Sequence, residues 1–323
     1  MPKMKGGKYL KAIGLILLAV ILYHVDLEEV WRQLKLSDPV LLSAAIILIF
    51  PQVALRAFRW QRMLTRQAIH CPFRYALSFY FAGIYIGLLT PGRLGEIAKA
   101  FFLKQRGWAS ISQALPSVIA DRCLDLYCLM MVALFSLYPL GLGFQSLMTT
   151  GLICIAAALS PWLILYHWQS SGRAGMVRKI ISNRLSKKRG EAFASFSQKA
   201  GQLLSRQIAY MLIMTAASYA IYFLQTFFIA RAIGLGLDYL TVAMIVSIAI
   251  LVGFIPVTIA GLGTREAVFI FLLGRFGISP ASALSFAFLY NLVYIVCVGL
   301  ISAVFWMRLP NRQEVKNVSL EQV

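Results

Sequence analysis

Glu96, Asp121, Arg122, Asp125, Arg265 and Glu266 stand in stretches of sequence that are otherwise apolar. Asp121 and Asp125 are four residues apart, so a helix carries both on one face, with Arg122 three residues from Asp125 and able to pair with it. Placing a charge at mid-bilayer costs about 2.5–3.5 kcal/mol on insertion scales, so four carboxylates in such surroundings need a reason. One reason is structural: they pair with Arg93, Lys99, Arg122 and Arg265 and lock a bundle. The other is functional: they line a path and handle a polar headgroup or a proton. Intramembrane charge is functional by default, which favours the second, and the two are compatible. Glu96 and Glu266 each read as one turn inside a helix N-terminus, where a carboxylate also stabilises the helix dipole.

The backbone at these positions adds to the chemistry. The stretch "LLTPGRLGEIAKAFF" (88–102) packs Pro91, Gly92, Arg93 and Gly95 into an apolar region, and "GLGTREAVF" (261–269) does the same with Gly261, Gly263 and Arg265. A helix broken there exposes backbone N–H groups that hydrocarbon cannot satisfy, so the breaks belong beside a polar cavity. A helix N-terminus facing a cavity is an anion site. With Arg93, Arg122 and Arg265, which can grip phosphate bidentately, and with Asn291 downstream, the set reads as a lipid-headgroup site. The two glutamates would keep the arginines from trapping the anion and could meet a cationic headgroup.

The elements that position these residues are membrane helices. The chain is 60% hydrophobic and 13% charged, with a mean hydropathy of +0.76. Soluble domains average about 45–50% apolar and about 25% charged, and apolar runs recur here from end to end. Spans are expected at about 9–25, 39–58, 111–138, 143–167, 207–231, 239–257 and 281–307, with shorter runs at about 74–90 and 94–104. The first lacks a small-residue cleavage site and reads as a retained span. Between the first two, Leu27, Val30, Trp31 and Leu34 recur at helical spacing, which predicts a short helix on the membrane surface. The net charge of +19 sits in short loops, where it sets topology; this argues against a nucleic-acid partner. Arg56, Arg59, Arg62 and Arg66 read as a cytoplasmic span end. The 168–206 loop, with nine Lys/Arg and one acid, reads as cytoplasmic, as do both termini including the 308–323 tail. The five cysteines form no metal or disulfide spacing.

That charge distribution is consistent only if neither broken region adds a full crossing. Each is then a re-entrant hairpin, since a half-helix of about 11 residues is only about 16 Å long. The two regions also resemble each other. Pairing Glu96 with Glu266 pairs Gly107 with Gly277 at the same offset of 170. After a one-residue gap, Leu115 pairs with Leu284, Asp121 with Tyr290, Arg122 with Asn291 and Asp125 with Tyr294. The hairpins enter from opposite sides, so the repeat is inverted, the signature of a transporter with a midplane site. The expected fold is an all-α polytopic membrane protein, one integral domain over 1–323. It has about six full spans and two broken-helix hairpins, at about 74–138 and 239–307.

The segments "ALRAFRW", "LLTPGRLGEIAKAFFLK" followed by "ADRCLDL", and "GLGTREAVF" with "YNLVY" downstream resemble the transmembrane region of lysylphosphatidylglycerol synthases, a flippase-like family. The resemblance covers nearly the whole chain. It implies an inner (plasma) membrane lipid translocase, with Pro91, Gly92, Gly95, Glu96, Asp121, Arg122, Gly261, Gly263, Arg265 and Glu266 at family positions. The second motif departs from the family's Pro-Gly-Gly, reading Ile259-Ala260-Gly261. The soluble aminoacyl-transferase domain of the full-length synthases has no counterpart in the sequence, so the substrate need not be lysyl-phosphatidylglycerol.

Three functions compete. A translocase of phospholipid or other lipid-linked headgroups leads. An enzyme modifying a lipid headgroup would need a nucleophile and base or a metal site. The sequence has no H-E-x-x-H, no clustered His and no nucleotide-binding signature. Glu96, Asp121 and Asp125 could hold Mg²⁺, but the arginines around them argue against a cation, so no catalytic residue, metal or cofactor is expected. The third reading is a non-transporting scaffold subunit. A homo-oligomer or a separate lipid-modifying enzyme stays open as partner.

Overall fold

The computed structural model describes residues 26–88, 90, 95–137, 139–140, 208–254 and 261–309. Pro91, Gly92 and Arg93 lie outside the described residues, as do the expected spans at 9–25 and 143–167, the 168–206 loop and residues 310–323 of the tail. Among the described residues all regular structure is helical.

Asp26 caps α1 (Leu27–Leu36) through its side chain. Asp38 caps α2 (Pro39–Ile47), where Pro39 takes a first-turn position that needs no N–H donor. Helix α3 (Ile49–Arg66) continues the same run. Then come α4 (Phe73–Leu88), the short α5 (Ala98–Gln105) and the long α6 (Ile111–Ser136). The second part holds α7 (Ile208–Ala232), α8 (Tyr239–Phe254), α9 (Thr264–Gly274) and α10 (Pro280–Asn291). A π-helical segment, Leu292–Cys297, joins α10 to α11 (Val298–Met307). Among the described residues, three continuous runs are long and apolar enough to cross a membrane: Pro39–Arg66, Ala209–Ala232 and Pro280–Met307.

Helix α7 is the hub, packing against α2, α3, α6, α8 and α10. Helix α4 packs on α3, α5 and α11, with Phe81 stacked on Phe305 at 4.4 Å between ring centroids. Two glycines one turn apart, Gly83 and Gly87, bring α4 close to the segment after the first break. A Cβ at Gly83 would stand 2.9 Å from Lys99 Cγ, and one at Gly87 2.9 Å from Glu96 Cγ.

One expectation needs correction. The second span does not end near residue 58; its helix runs to Arg66, and Arg59 lies inside the bundle at 0% exposure rather than at a charged membrane surface. The last span runs over Pro280–Met307 as expected, with a π-helical turn immediately after Asn291. On α1, Val30 buries against Ala281 and Leu284 while Leu34 packs beside it, and Gln33 donates to the Ser282 hydroxyl at 2.9 Å. Leu27 and Trp31 stay exposed, so one edge of the anticipated apolar face packs on α10 and the other stays uncovered.

The two broken regions share local geometry beyond their sequence pairing. Gly107 and Gly277, which end α5 and α9, both have φ of +72°. Behind each, the next residue's N–H reaches back to the helix: Trp108 to the Leu103 carbonyl at 3.1 Å and Ile278 to the Leu273 carbonyl at 3.3 Å. This is the glycine-terminated helix end in which a left-handed residue satisfies orphan carbonyls. A serine then caps the following helix, Ser110 accepting from the Gln113 N–H and Ser279 from the Ser282 N–H. The single-residue gap in the repeat falls in this turn. Nothing crowds a Cβ at either glycine, so Gly107→Ala and Gly277→Ala should each cost about 1 kcal/mol through the strained φ alone. Thermal melts of both variants should drop by similar small amounts; a drop at only one position would break the equivalence.

Candidate functional site

Asp121 is the centre of a buried charge network. Its position on α6 faces α3 and α5 across the bundle, and neither its side chain nor that of Arg59 has any exposure. Arg59 donates to Asp121 Oδ1 from Nε at 3.1 Å and from Nη2 at 2.6 Å, and Nη2 also reaches Asp125 Oδ1 at 2.7 Å. Its Nη1 donates to the Thr215 hydroxyl of α7. Lys99 Nζ donates to Asp121 Oδ2 at 2.7 Å and lies over the Tyr80 ring, whose hydroxyl donates to the same Oδ2 at 3.1 Å. The carboxylate therefore has two cations and a phenol around it, the kind of full satisfaction a buried charge needs.

Glu96, Arg122 and Asp125 form the outer layer. Arg122 Nη1 donates to Glu96 Oε1 at 2.7 Å, and its Nη2 lies 3.1 Å from Asp125 Oδ2, the expected pairing within α6. Arg56 approaches Asp125 at 3.8 Å and rests over the Tyr219 ring.

The second broken region repeats one of these contacts in neutral form. Asn291 Nδ2 donates to Glu266 Oε1 at 2.5 Å, where Arg122 donates to Glu96 in the first. Glu266 Oε2 accepts from the Gly263 N–H at 2.5 Å, so the carboxylate closes the start of α9. Arg265 Nη1 donates to Asn291 Oδ1 at 3.1 Å, and its guanidinium lies over Tyr290. Tyr290 and Tyr294 take the places of Asp121 and Asp125. Their hydroxyls bond within a phenol-amide set: Tyr290 with Tyr222, and Tyr294 donating to Gln225 Oε1 at 2.7 Å. One region is thus ionic at its centre and the other is built of tyrosine.

Both face one cavity of about 360 Å³. Arg56, Glu96, Arg122 and Asp125 line one wall, Arg265, Tyr222 and Tyr290 the other. Ile97, Ile119 and Leu126 line it as well and are exposed on the outer surface, so the cavity opens sideways between helices. Asp121, Glu266 and Asn291 are not among its lining residues; Asn291 accepts from Arg265, which is, and Glu266 holds Asn291 in turn. Gly95 and Gly261 fit close to the walls. A Cβ at Gly95 would come 2.4 Å from the Ile86 carbonyl oxygen, and one at Gly261 2.8 Å from Arg265 Nη2. Gly263 has φ of +83° at the cap of α9.

Sequence reasoning missed Arg56 and Arg59, assigned to a span end, and the tyrosines of the second wall. Gln52, Arg56 and Arg59 follow at spacings of four and three, a polar stripe that begins well inside the apolar run. A topogenic cluster has no use for its first member, and Gln52 is buried.

Helices long and apolar enough to span, with paired charges around an interior cavity that opens sideways, define an integral membrane protein with an intramembrane polar site. The chain belongs to the lysylphosphatidylglycerol synthase TM region family, which matches residues 11–302. It is 24% identical to a UPF0104 membrane protein of Methanothermobacter thermautotrophicus, over 85% of this chain and 87% of that one. It is also 28% identical to a UPF0104 membrane protein of Pyrococcus horikoshii, over 88% and 92% of the respective chains.

Proposed function

We propose that this chain translocates phospholipid or lipid-linked headgroups across the plasma membrane and is not itself an enzyme. The observation that carries the reading is the shared cavity, with polar side chains from both broken regions on facing walls and an apolar side opening. A headgroup crossing hydrocarbon needs its hydration replaced. Arg56, Arg122 and Arg265 supply donors for a phosphate, and the opening past Ile97, Ile119 and Leu126 leaves the acyl chains in lipid. The matched turns and the Glu96–Arg122 and Glu266–Asn291 contacts support a repeat, which we read as inverted. In this reading six spans and two re-entrant hairpins surround the site, and both termini and the 168–206 loop face the cytoplasm. A second copy of the chain or a separate lipid-modifying enzyme fits beside it.

The test is movement of a fluorescent phospholipid between leaflets of proteoliposomes, read by chemical quenching of the outer leaflet. Arg265→Ala should slow it at least tenfold while the melting temperature stays near that of the parent, because Glu266 keeps its Gly263 and Asn291 bonds. Arg265→Lys should recover part of the rate, since an ammonium offers charge without the planar fork. No movement by the parent protein, or normal movement by Arg265→Ala, would sink the assignment.

A further inference from the structure

Two aspartates one turn apart on α6 are held differently. Both oxygens of Asp121 accept hydrogen bonds, Oδ1 from Arg59 and Oδ2 from Lys99 and Tyr80. Asp125 is held by one oxygen alone: Oδ1 accepts from Arg59 Nη2 at 2.7 Å. Its Oδ2 is buried, has Arg122 Nη2 at 3.1 Å and Arg56 Nη1 at 3.8 Å, and makes no aligned hydrogen bond with any described residue. A charged oxygen beside two guanidiniums that bonds neither is loosely held, since the strength of such a pair lies in short, aligned bonds.

The two arginines are under-used as well. Arg56 rests its guanidinium over the Tyr219 ring, and its buried Nε has no hydrogen-bond partner among the described residues. Arg122 gives Nη1 to Glu96 Oε1 and Nη2 to the Tyr80 hydroxyl, and its buried Nε is likewise without a partner there. Both side chains and Asp125 line the cavity. Buried N–H donors are normally satisfied, so unmade bonds at two guanidiniums on one cavity wall point to an anion with more than one oxygen to offer. Asp125 cannot be that anion for both: with Oδ1 on Arg59, Oδ2 stops short of Arg56.

We propose that Arg56 and Arg122 form a phosphate subsite and that Asp125 Oδ2 is the placeholder that a ligand's phosphate displaces. A phosphodiester brings two non-bridging oxygens, one for each guanidinium, while Asp125 stays paired with Arg59 through Oδ1. That the phosphate belongs to a lipid rests on the translocase reading; the subsite itself rests on the three side chains. The consequence is a restrained affinity. The carboxylate competes for the same donors, so the anion is released instead of trapped.

The experiment measures binding of dioctanoyl phosphatidylglycerol to the purified full chain in neutral detergent by calorimetry, with glycerol phosphate as the soluble competitor. Leaflet exchange of fluorescent phosphatidylglycerol in proteoliposomes is read beside it. Asp125→Asn keeps an oxygen for Arg59 and removes the competing charge, so it should bind about tenfold tighter than the parent and exchange more slowly. A purely structural role predicts weaker binding together with slower exchange; that result overturns the proposal, as does unchanged binding. Arg56→Gln should bind about tenfold more weakly, and combining it with Asp125→Asn should cancel most of the gain. Arg62→Gln, an exposed arginine on the same helix, should match the parent. Should Asp125→Asn fail to purify as a folded protein, a crystal structure of the parent with dioctanoyl phosphatidylglycerol decides. Phosphate oxygens on Arg56 and Arg122, with Oδ2 moved off Arg122, support the proposal, and a phosphate seated elsewhere overturns it. Full displacement by glycerol phosphate at equal concentration would assign the site to a soluble phosphate ester and overturn the lipid assignment. Binding is read without a bilayer, so tighter binding by Asp125→Asn with no leaflet exchange by the parent would sink the translocase and leave the subsite standing.

Discussion

Arg59→Ala should yield no folded protein. Among the described residues Arg59 is the one side chain that bridges Asp121, Asp125 and the α7 hydroxyl of Thr215, so it ties α3 to α6 and α7 from within. Without it, Asp121 keeps Lys99 but Asp125 loses its 2.7 Å partner and is left with Arg122 at 3.1 Å, and the two carboxylates stand one turn apart, Asp121 with no exposure and Asp125 nearly buried at the cavity wall. Removing one member of a buried ion pair costs about 3–5 kcal/mol, against a total stability of about 5–15 kcal/mol for a typical protein. Arg59→Lys should fare little better, because one ammonium cannot reach both carboxylates and the threonine together. Arg62→Ala is the control on the same helix: an exposed cation over Phe58, expected to cost under about 1 kcal/mol. Size-exclusion profile and melting temperature in one detergent settle the matter, and a monodisperse Arg59→Ala protein melting within a few degrees of the parent would show the bridge to be dispensable.

This separates two roles that the sequence ran together. Asp121 and Asp125 stand on one helical face in either role, so spacing alone left locking and substrate handling both open. Burial divides the set. Arg59, Lys99 and Asp121 are sealed away from the cavity, whereas Arg56, Glu96, Arg122, Asp125 and Arg265 line it. The helices themselves were legible, because apolar runs and caps such as Ser110 and Ser279 are local signals. The matched turns after α5 and α9 were legible at Gly107 and Gly277, because a left-handed turn selects that residue type. Arg59 was hidden because an arginine near the end of an apolar run reads as topogenic until its partners on other helices are known. The tyrosine wall was hidden for a related reason. Tyr222, Tyr290 and Tyr294 satisfy one another and Gln225 across helices α7 and α10 and the π turn, and nothing in the spacing within any one segment announces that. The π turn after Asn291 has no sequence signal that we can identify.

Gly95→Ala and Gly261→Ala should fail in different ways, although the two glycines stand at corresponding breaks. At Gly95 a Cβ would lie 2.4 Å from the backbone oxygen of Ile86 and 2.6 Å from its carbonyl carbon. Backbone inside α4 cannot step aside, so the segment carrying Glu96 and Lys99 must withdraw from α4. That pulls Glu96 from Arg122 and Lys99 from Asp121 together, adding lost ion pairs to the steric cost. The expected result is a loss of several kcal/mol and of transport with it. At Gly261 the nearest atom is Arg265 Nη2, 2.8 Å away, the far end of a flexible side chain, and the nearest backbone atom, Gly253 Cα, is tight but not overlapping at 3.1 Å. The guanidinium can swing off, at the price of its contacts with Asn291 and Tyr290, while φ of +76° adds about 1 kcal/mol of backbone strain. Gly261→Ala should therefore remain folded, melt a few degrees lower and transport at least tenfold more slowly, much as Arg265→Ala does. Combining Gly261→Ala with Arg265→Ala should then cost little further activity, since both act on the same guanidinium. Melting and leaflet exchange measured on the three proteins decide it: multiplied rate losses in the double variant would mean that the second break contributes to the site through something other than Arg265.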